Sequence, residues 1–366
     1  MKKTTDTPFL LVVCALVTFG LLIFTSAALG LLAHGSGASF TSVAVGQLLF
    51  GLLMGGVALM VFSHIDYRLW KPYTPYFFAG AVILTLLTFV PHIGLALKGA
   101  HRWIALGGFS FQPEEILKLA TIMFLAAWYS ARYNTVNTVR GGVVPLLAIA
   151  GGAALILLVQ PNTAGVIVLG LSASAMLFAA GGRVSHFLIL CTIGIGAIVI
   201  AALIYPHVAE RIRTYADQSA DPQGSGYQIQ QSLIAVGSGR LTGRGFGQGI
   251  EKFSFLPEPI GDSIFAVAAE EFGFIGSVLL VILFAGFCML GLRIAARTPD
   301  PFGGLLVVGL TVLIVGQSFF NISSTLGLVP LIGVPLIFVS HGGTALAMAL
   351  AEVGIILSVS RRMKTV

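Results

Sequence analysis

Long apolar runs alternate with short polar breaks along the chain, and most runs are longer than the core helices of soluble proteins. A helix needs about 20 apolar residues to cross a hydrocarbon core. By that measure the runs at 8–32, 40–62, 76–97, 113–131, 143–159, 163–181, 185–205, 263–292, 302–328 and 341–359 predict ten transmembrane helices. Only one break is long, the stretch of about 57 residues from Pro206 to Asp262 between the seventh and eighth runs. The pattern predicts an all-α polytopic membrane protein, with residues 1–366 as a single integral membrane domain and one large extracytoplasmic loop at about 206–262. Neither a fixed-period repeat nor inverted symmetry between halves is visible, which disfavours the common transporter architectures.

Composition agrees. Hydrophobic residues make up 57% of the chain and charged residues 9%, whereas a soluble domain carries roughly a quarter charged residues. The net charge of +6 comes from scattered Lys and Arg, so it reads as membrane topology and excludes a nucleic-acid patch. With the N-terminus in the cytoplasm, the inside segments hold Lys2, Lys3, Arg68, Lys71, Arg132, Arg140, Arg183, Arg293, Arg297, Arg361, Arg362 and Lys364, and the short outside loops hold only Lys98 and Arg102. An even span count places both termini in the cytoplasm. Ser26-Ala27-Ala28 resembles a processing site, but the run from Pro8 to Leu32 is longer than the roughly 7–15 residues of a signal h-region, so it is expected to be a retained span. Cys14, Cys191 and Cys288 each sit in an apolar run and are expected to be buried small hydrophobes, with no disulfide or metal role.

Acids gather where the eighth run begins. Glu258, Asp262, Glu270 and Glu271 fall within FLPEPIGDSIFAVAAEEFGF, Phe255 to Phe274, in a chain with only 14 Asp and Glu. As a simple cap, Asp262 would stabilise the start of the following helix. As a general base at the lipid–water boundary it would accept a proton from a sugar hydroxyl, and Glu258 and the nearby cations favour that reading. Upstream, Gly237, Gly239, Gly243, Gly245, Gly247 and Gly249 are interspersed with Arg240, Arg244 and Lys252. Such a stretch is either a flexible loop or a cradle for a phosphate or diphosphate. The amphipathic segment from Gln228 to Ile234 suits the membrane interface.

Glu270 and Glu271 lie about two turns into the run, where an ionised acid costs several kcal/mol unless partnered or wet. Glu270 is expected to face inward, with its partner on the fourth span. There Pro113-Glu114-Glu115 is ordinary helix-start chemistry, while Lys118 lies a turn deeper and reads either as part of a polar cavity or as a packing pair with these acids. Glu352, in the last span, has no evident sequence partner.

Taken in order, these stretches resemble the SEDS (shape, elongation, division and sporulation) family of peptidoglycan glycosyltransferases. The resemblance rests on Gly99-Ala100-His101-Arg102-Trp103-Ile104 with Leu106-Gly107, Phe111-Gln112-Pro113 through Lys118-Leu119-Ala120, Gln160-Pro161, Gly226-Tyr227-Gln228 with Gln231-Ser232, and Phe255-Leu256-Pro257-Glu258 through Asp262 to Glu270-Glu271-Phe272-Gly273. It continues through Asn321-Ile322, Leu326-Gly327-Leu328, Pro330, Gly333, Pro335-Leu336, Ser340 and Gly342-Gly343. Four departures stand out: Asn162 where the family has Asp, Glu114 where it has Ser, His341 for an aromatic residue, and Ile337 for a Pro.

The resemblance implies ten spans in the bacterial cytoplasmic membrane, with the active site on the outer face. It implies lipid II, a disaccharide-peptide on undecaprenyl diphosphate, as both donor and acceptor, and Asp262 as the catalytic acid. Arg102, Glu115, Lys118, Gln231, Ser232 and Lys252 match polar positions of the family pattern and are expected to line the cavity. Arg102, Arg240, Arg244, Lys252 and Lys118 are the candidate cations for the diphosphate, with Glu258 and Glu270 beside them. A divalent cation, Mg²⁺ or Mn²⁺, bridging a carboxylate and the diphosphate fits phosphate chemistry, but no ligand set is legible. Besides lipid II and membrane lipids, the implied partner is a single-span class B penicillin-binding transpeptidase. The alternative function is a flippase for the same lipid-linked precursor, and a third reading is a scaffold for partner proteins.

Overall fold

The computed structural model describes residues 6–34, 40–97, 100–106, 109–217, 221 and 224–363. Lys2, Lys3, Lys98, Gly99, Gly107 and Lys364 lie outside the described residues.

The apolar runs fold as helices: α1 (Thr7–Leu29), α2 (Phe40–His64), α3 (Tyr67–Phe89), α4 (Pro113–Ala131), α5 (Val139–Val159), α6 (Thr163–Ala179) and α7 (Val184–Ile204). After the long connection come α11 (Ile264–Arg297), α12 (Pro301–Thr325) and α13 (Gly343–Ser360). Among the described residues, eight of these are long and apolar enough to cross a membrane: α1, α2, α3, α5, α7, α11, α12 and α13. The chain is a multi-pass membrane protein. Of the ten predicted spans, the other two fall short for different reasons: α6 is a shorter apolar helix of 17 residues, and α4 carries Glu114, Glu115 and Lys118 in its first turns.

The third run ends differently from the expectation. Its helix stops at Phe89, and residues 94–97, expected to be helical, form strand β1 (Gly94–Leu97). This strand pairs antiparallel with β2 (Ala100–Leu106), which pairs with β3 (Phe109–Phe111). An apolar run broken by Pro91, His92 and Gly94 suits a strand edge better than a helix end. The small sheet delivers the chain to Pro113 and presents Arg102 over the start of α4.

The 206–262 connection is also more ordered than a loop. It contains α8 (Pro206–Ala216), α9 (Ser225–Ser238) and the single turn α10 (Glu251–Ser254). α9 includes the amphipathic Gln228–Ile234 segment and packs on α11, burying Ile229, Ser232 and Ala235.

α12 and α13 are the most enclosed of the long helices, and α12 touches α4, α6 and α11. α7 has hardly any buried side chains and stands at the periphery. The cysteines correct the expectation of burial: Cys14 and Cys191 are exposed and Cys288 is half-buried. They lie on apolar helices whose outward faces meet lipid, where a small apolar side chain is as well placed as in a core.

α11 explains where the paired acids sit. At 34 residues it is far longer than a crossing needs, and it breaks at Gly273 (φ 65°, ψ −163°), a conformation essentially restricted to glycine. Glu270 and Glu271 lie about two turns into the helix, in the segment before this kink, and the 239–252 loop covers them.

Candidate functional site

Three polar groups emerge, and they divide the expected site residues among them.

The first surrounds Asp262. The helix N-cap of α11 is Ser263, so Asp262 sits one residue before the cap, half-buried, in a turn built by Glu258 (φ 50°). Amides of Gly261 and Ser263 donate to the Glu258 carbonyl at 3.0 and 3.2 Å. Neighbouring elements fix the turn. Asn321 Nδ2 of α12 donates to the carbonyl of Asp262 at 2.8 Å, Ser340 Oγ to that of Gly261 at 2.8 Å, and the His341 amide to that of Ile260 at 2.7 Å. From α9, Gln228 Nε2 donates to Ser263 Oγ at 2.9 Å. The backbone is therefore clamped from three sides, while the carboxylate points toward Gly333. A Cβ placed on Gly333 would lie 3.2 Å from Asp262 Oδ2 and 3.9 Å from Arg211 Nη2, so both charged groups converge on one point. Gly333 also has φ 67°, so this close approach needs a glycine for two reasons.

Arg211 is the site residue that the sequence reading missed. It projects from α8, and its Nη1 donates to the carbonyl of Ile332 at 3.2 Å. Burial holds its guanidinium below the ordinary value, Arg102 adds to that effect, and Asp262 opposes it. The available signal was Pro206 at the head of a short polar helix, which marks 206–216 as structured. Arg102 lies in the same electrostatic neighbourhood, and its guanidinium donates to the carbonyls of Gln160 (3.0 Å from Nε) and Pro161.

The second group is deeper. Lys118 Nζ sits 2.8 Å from Glu115 Oε2 and donates to Gln317 Oε1 of α12 at 3.0 Å, all three side chains being buried. Glu352 is buried within electrostatic range of Glu115 and Lys118. Two of the departures from the family pattern meet here, because Asn162 Nδ2 donates to Glu114 Oε2. With the family's Asp at 162, two carboxylates would face each other in a buried site. Carrying the acid at 114 and the amide at 162 keeps one charge in this contact. Asn162 Oδ1 also accepts from the Gly165 amide at 2.9 Å, capping α6.

The third group corrects several expectations. Glu270 and Glu271 are enclosed, at 0% and 1% exposure. Their partner is the glycine-rich loop, and not Lys118. Amides of Ile250 and Glu251 donate to Glu270 at 2.9 and 3.3 Å, and amides of Gly247 and Gly249 donate to Glu271 at 3.1 and 3.4 Å. Lys252, 0% exposed, pairs with Glu271 and donates to Ser26 Oγ of α1 at 2.7 Å; Ser26 in turn donates to Glu271 at 2.7 Å. The glycines do form an anion cradle, but the anions are the protein's own. Lys252 is therefore placed away from the expected cavity. Arg244 sits 3.4 Å from Glu270, and Arg240 is exposed on the loop.

The kink completes this accounting. Breaking α11 at Gly273 frees two carbonyls and two amides, and all four find the loop. Amides of Arg244 and Gly245 donate to the carbonyls of Glu270 and Glu271, both at 3.0 Å. Amides of Phe274 and Ile275 donate to Arg240 and Leu241, at 2.8 and 3.1 Å. A Cβ on Gly239 would lie 2.0 Å from the Ala269 carbonyl oxygen, and one on Gly243 would lie 2.1 Å from that of Glu271. The glycines are there because backbone touches backbone.

Gln231 is half-buried and Ser232 buried on α9, next to the turn that holds Gln228. Glu258 is exposed at the mouth of the Asp262 site. Among the described residues, no three His, Cys, Asp or Glu side chains gather as a metal site.

Comparison with known proteins defines the class. The family described as "Cell cycle protein" (FTSW_RODA_SPOVE) matches residues 6–365. Similar curated proteins include stage V sporulation protein E of Bacillus subtilis, 39% identical and covering 98% of both chains. Another is a probable peptidoglycan glycosyltransferase FtsW of Geobacter sp., 37% identical over 85% of each. Among solved structures, a chain from a peptidoglycan synthase complex described as coordinating polymerization and crosslinking superposes with a TM-score of 0.80 at 22% identity. The rod shape determining protein RodA of Thermus thermophilus gives 0.70 at 23% identity over 99% of each chain. The chain belongs to the FtsW/RodA/SpoVE family.

Proposed function

We propose that this chain is a peptidoglycan glycan-strand polymerase, an inverting glycosyltransferase that uses lipid II as donor and acceptor and releases undecaprenyl diphosphate. The observation that carries the reading is the convergence of the Asp262 carboxylate and the Arg211 guanidinium on one point, beside a clamped backbone turn. The relatives named probable peptidoglycan glycosyltransferase FtsW support it and do not favour the flippase alternative.

In this reading α4 and α6 complete ten spans in the bacterial cytoplasmic membrane. Both termini are cytoplasmic, and the 206–262 segment lies outside. Asp262 accepts the proton from the C4 hydroxyl of the acceptor GlcNAc as that oxygen attacks the anomeric carbon of the donor MurNAc. The bond to the diphosphate breaks, and the α-linked donor becomes a β-linked product. Arg211 and Arg102 stabilise the negative charge of the departing diphosphate. Lys118, Glu115 and Gln317 set the polar floor beneath, and Gln231 and Ser232 shape the wall formed by α9. A bound Mg²⁺ or Mn²⁺ would be held by diphosphate oxygens and would supply further neutralisation of their charge. A class B penicillin-binding protein is the proposed partner, in keeping with the structural likeness to a synthase complex.

The test is polymerisation of labelled lipid II by the purified, reconstituted chain, with and without Mg²⁺. Asp262→Ala is expected to abolish polymer. Arg211→Ala is expected to lower the rate about a hundredfold, as does loss of one preorganised donor to a developing anion, and Arg211→Lys to recover part of it. Full polymer yield from Asp262→Ala overturns the assignment.

A further inference from the structure

At the other end of α4, between its last turn and the beginning of α3, lies a mostly apolar groove of about 640 Å³. Pro75, Phe124 and Trp128 form its apolar walls, and Lys71 and Arg132 stand among them as the only charged groups. Phe124 is braced from behind by Phe78, with ring centroids 5.5 Å apart. The Arg132 guanidinium lies 3.8 Å from the centre of the Trp128 ring, which fixes its direction. The Trp128 indole N–H is buried and has no hydrogen-bond acceptor. Trp128 is fourteen residues beyond Glu114 (128 − 114 = 14) on one helix, so the groove sits about 20 Å along the axis from the polar floor of the proposed active site.

We propose that this groove binds one anionic glycerophospholipid of the inner leaflet. An acyl chain lies along Phe124 and Pro75, and the phosphate sits between Lys71 and Arg132. The charge pattern selects the occupant: two cations and no carboxylate border an apolar trough at the basic end of the helices, which is how pockets between spans take anionic head groups. A zwitterionic lipid would fill the trough but present its own cation to Lys71 and Arg132. The site is separate from the polymerase reading, and its test uses no polymerisation.

The chain has three tryptophans. Replacing Trp70 and Trp103 by Phe leaves Trp128 as the sole reporter, and the full-length protein is placed in phosphatidylcholine nanodiscs with rising fractions of brominated phosphatidylglycerol. Half-maximal quenching is expected at about a tenfold lower mole fraction than with brominated phosphatidylcholine. Lys71→Gln combined with Arg132→Gln is expected to bring the two lipids together. Equal quenching by both lipids in the parent protein overturns the site. A preference that survives the double substitution does so too, because it then arises elsewhere. Native mass spectrometry of the chain with all three tryptophans provides a second readout: the Gln pair is expected to retain one phosphatidylglycerol fewer, and an unchanged count contradicts the proposal.

Discussion

Asp262 and the pair Glu270–Glu271 follow one another along the same stretch of chain, and their surroundings are opposite. Around Asp262 the backbone is held by Asn321, Ser340 and His341, while the side chain is half-buried and turned toward Arg211. Around Glu270 and Glu271 the side chains themselves are consumed by four loop amides, Ser26, Lys252 and Arg244. A carboxylate whose oxygens are saturated by fixed donors is a poor proton acceptor, because those donors stabilise its charge. Asp262 is instead fixed through its backbone carbonyl, with its carboxylate facing Arg211. On the proposed mechanism, the comparison separates an acid that acts from acids that fasten.

The sharpest way to break this comparison is to exchange the two outcomes. Asp262→Asn keeps the size of the side chain and leaves the backbone clamp in place, so the unfolding midpoint in detergent should scarcely move. Polymerisation of lipid II is expected to fall by about 10²–10⁴-fold, the usual worth of a positioned base. If stability collapsed along with activity, Asp262 would be another fastener and the contrast would be lost.

The reverse experiment strikes the lock. Lys252→Met leaves Glu271 buried without its cation, which is expected to cost about 3–5 kcal/mol. Adding Glu271→Gln removes the orphaned charge, and the pair should be less damaging than the sum of the singles, with a coupling of about 1–3 kcal/mol in a double-mutant cycle read by thermal or denaturant unfolding. Simple additivity would mean that the two side chains do not act as a unit.

Gly273→Ala tests the backbone half of the same lock. The added Cβ would lie 2.3 Å from the Gly243 amide nitrogen, at a residue with φ 65°. Strain of that kind costs about 1–3 kcal/mol. Proteolysis between 239 and 252 should then rise before activity is lost, since the loop detaches from α11 ahead of the Asp262 turn. A variant with parent-like protease resistance would show that the kink does not hold the loop.

The order in which these features became legible has a physical basis. The helical runs could be read because crossing a membrane demands long apolar segments, and Asp262 stood out because acids and nearby cations gather where the eighth run begins. The sheet at 94–111 was hidden because short apolar runs suit helix and strand alike until their breakers are weighed. Arg211 and the lock share another cause. Glycine beside Arg and Lys signals an anion cradle wherever the anion comes from, and sequence spacing does not say that Glu270 and Glu271 fold back to fill it. Once they do, Lys252 and Arg244 are committed to them, and the cation facing Asp262 has to come from another element. α8 supplies it. Asn162 and Glu114 make the same point on a smaller scale, since two departures far apart in sequence are one contact in space.

Arg244 sets the lower limit of the comparison. It pairs with Glu270 as Lys252 pairs with Glu271, but its side chain is 38% exposed where that of Lys252 is fully enclosed. Water and salt screen such a pair, so Arg244→Ala is expected to cost no more than about 1 kcal/mol, with the loss shrinking as ionic strength rises. Its backbone amide, which donates to the Glu270 carbonyl, is untouched by the substitution. Unfolding midpoints measured at low and high salt decide the matter. A loss as large as that of Lys252→Met, or one insensitive to salt, would place Arg244 inside the lock and make burial the wrong criterion for telling fastening charges from surface ones.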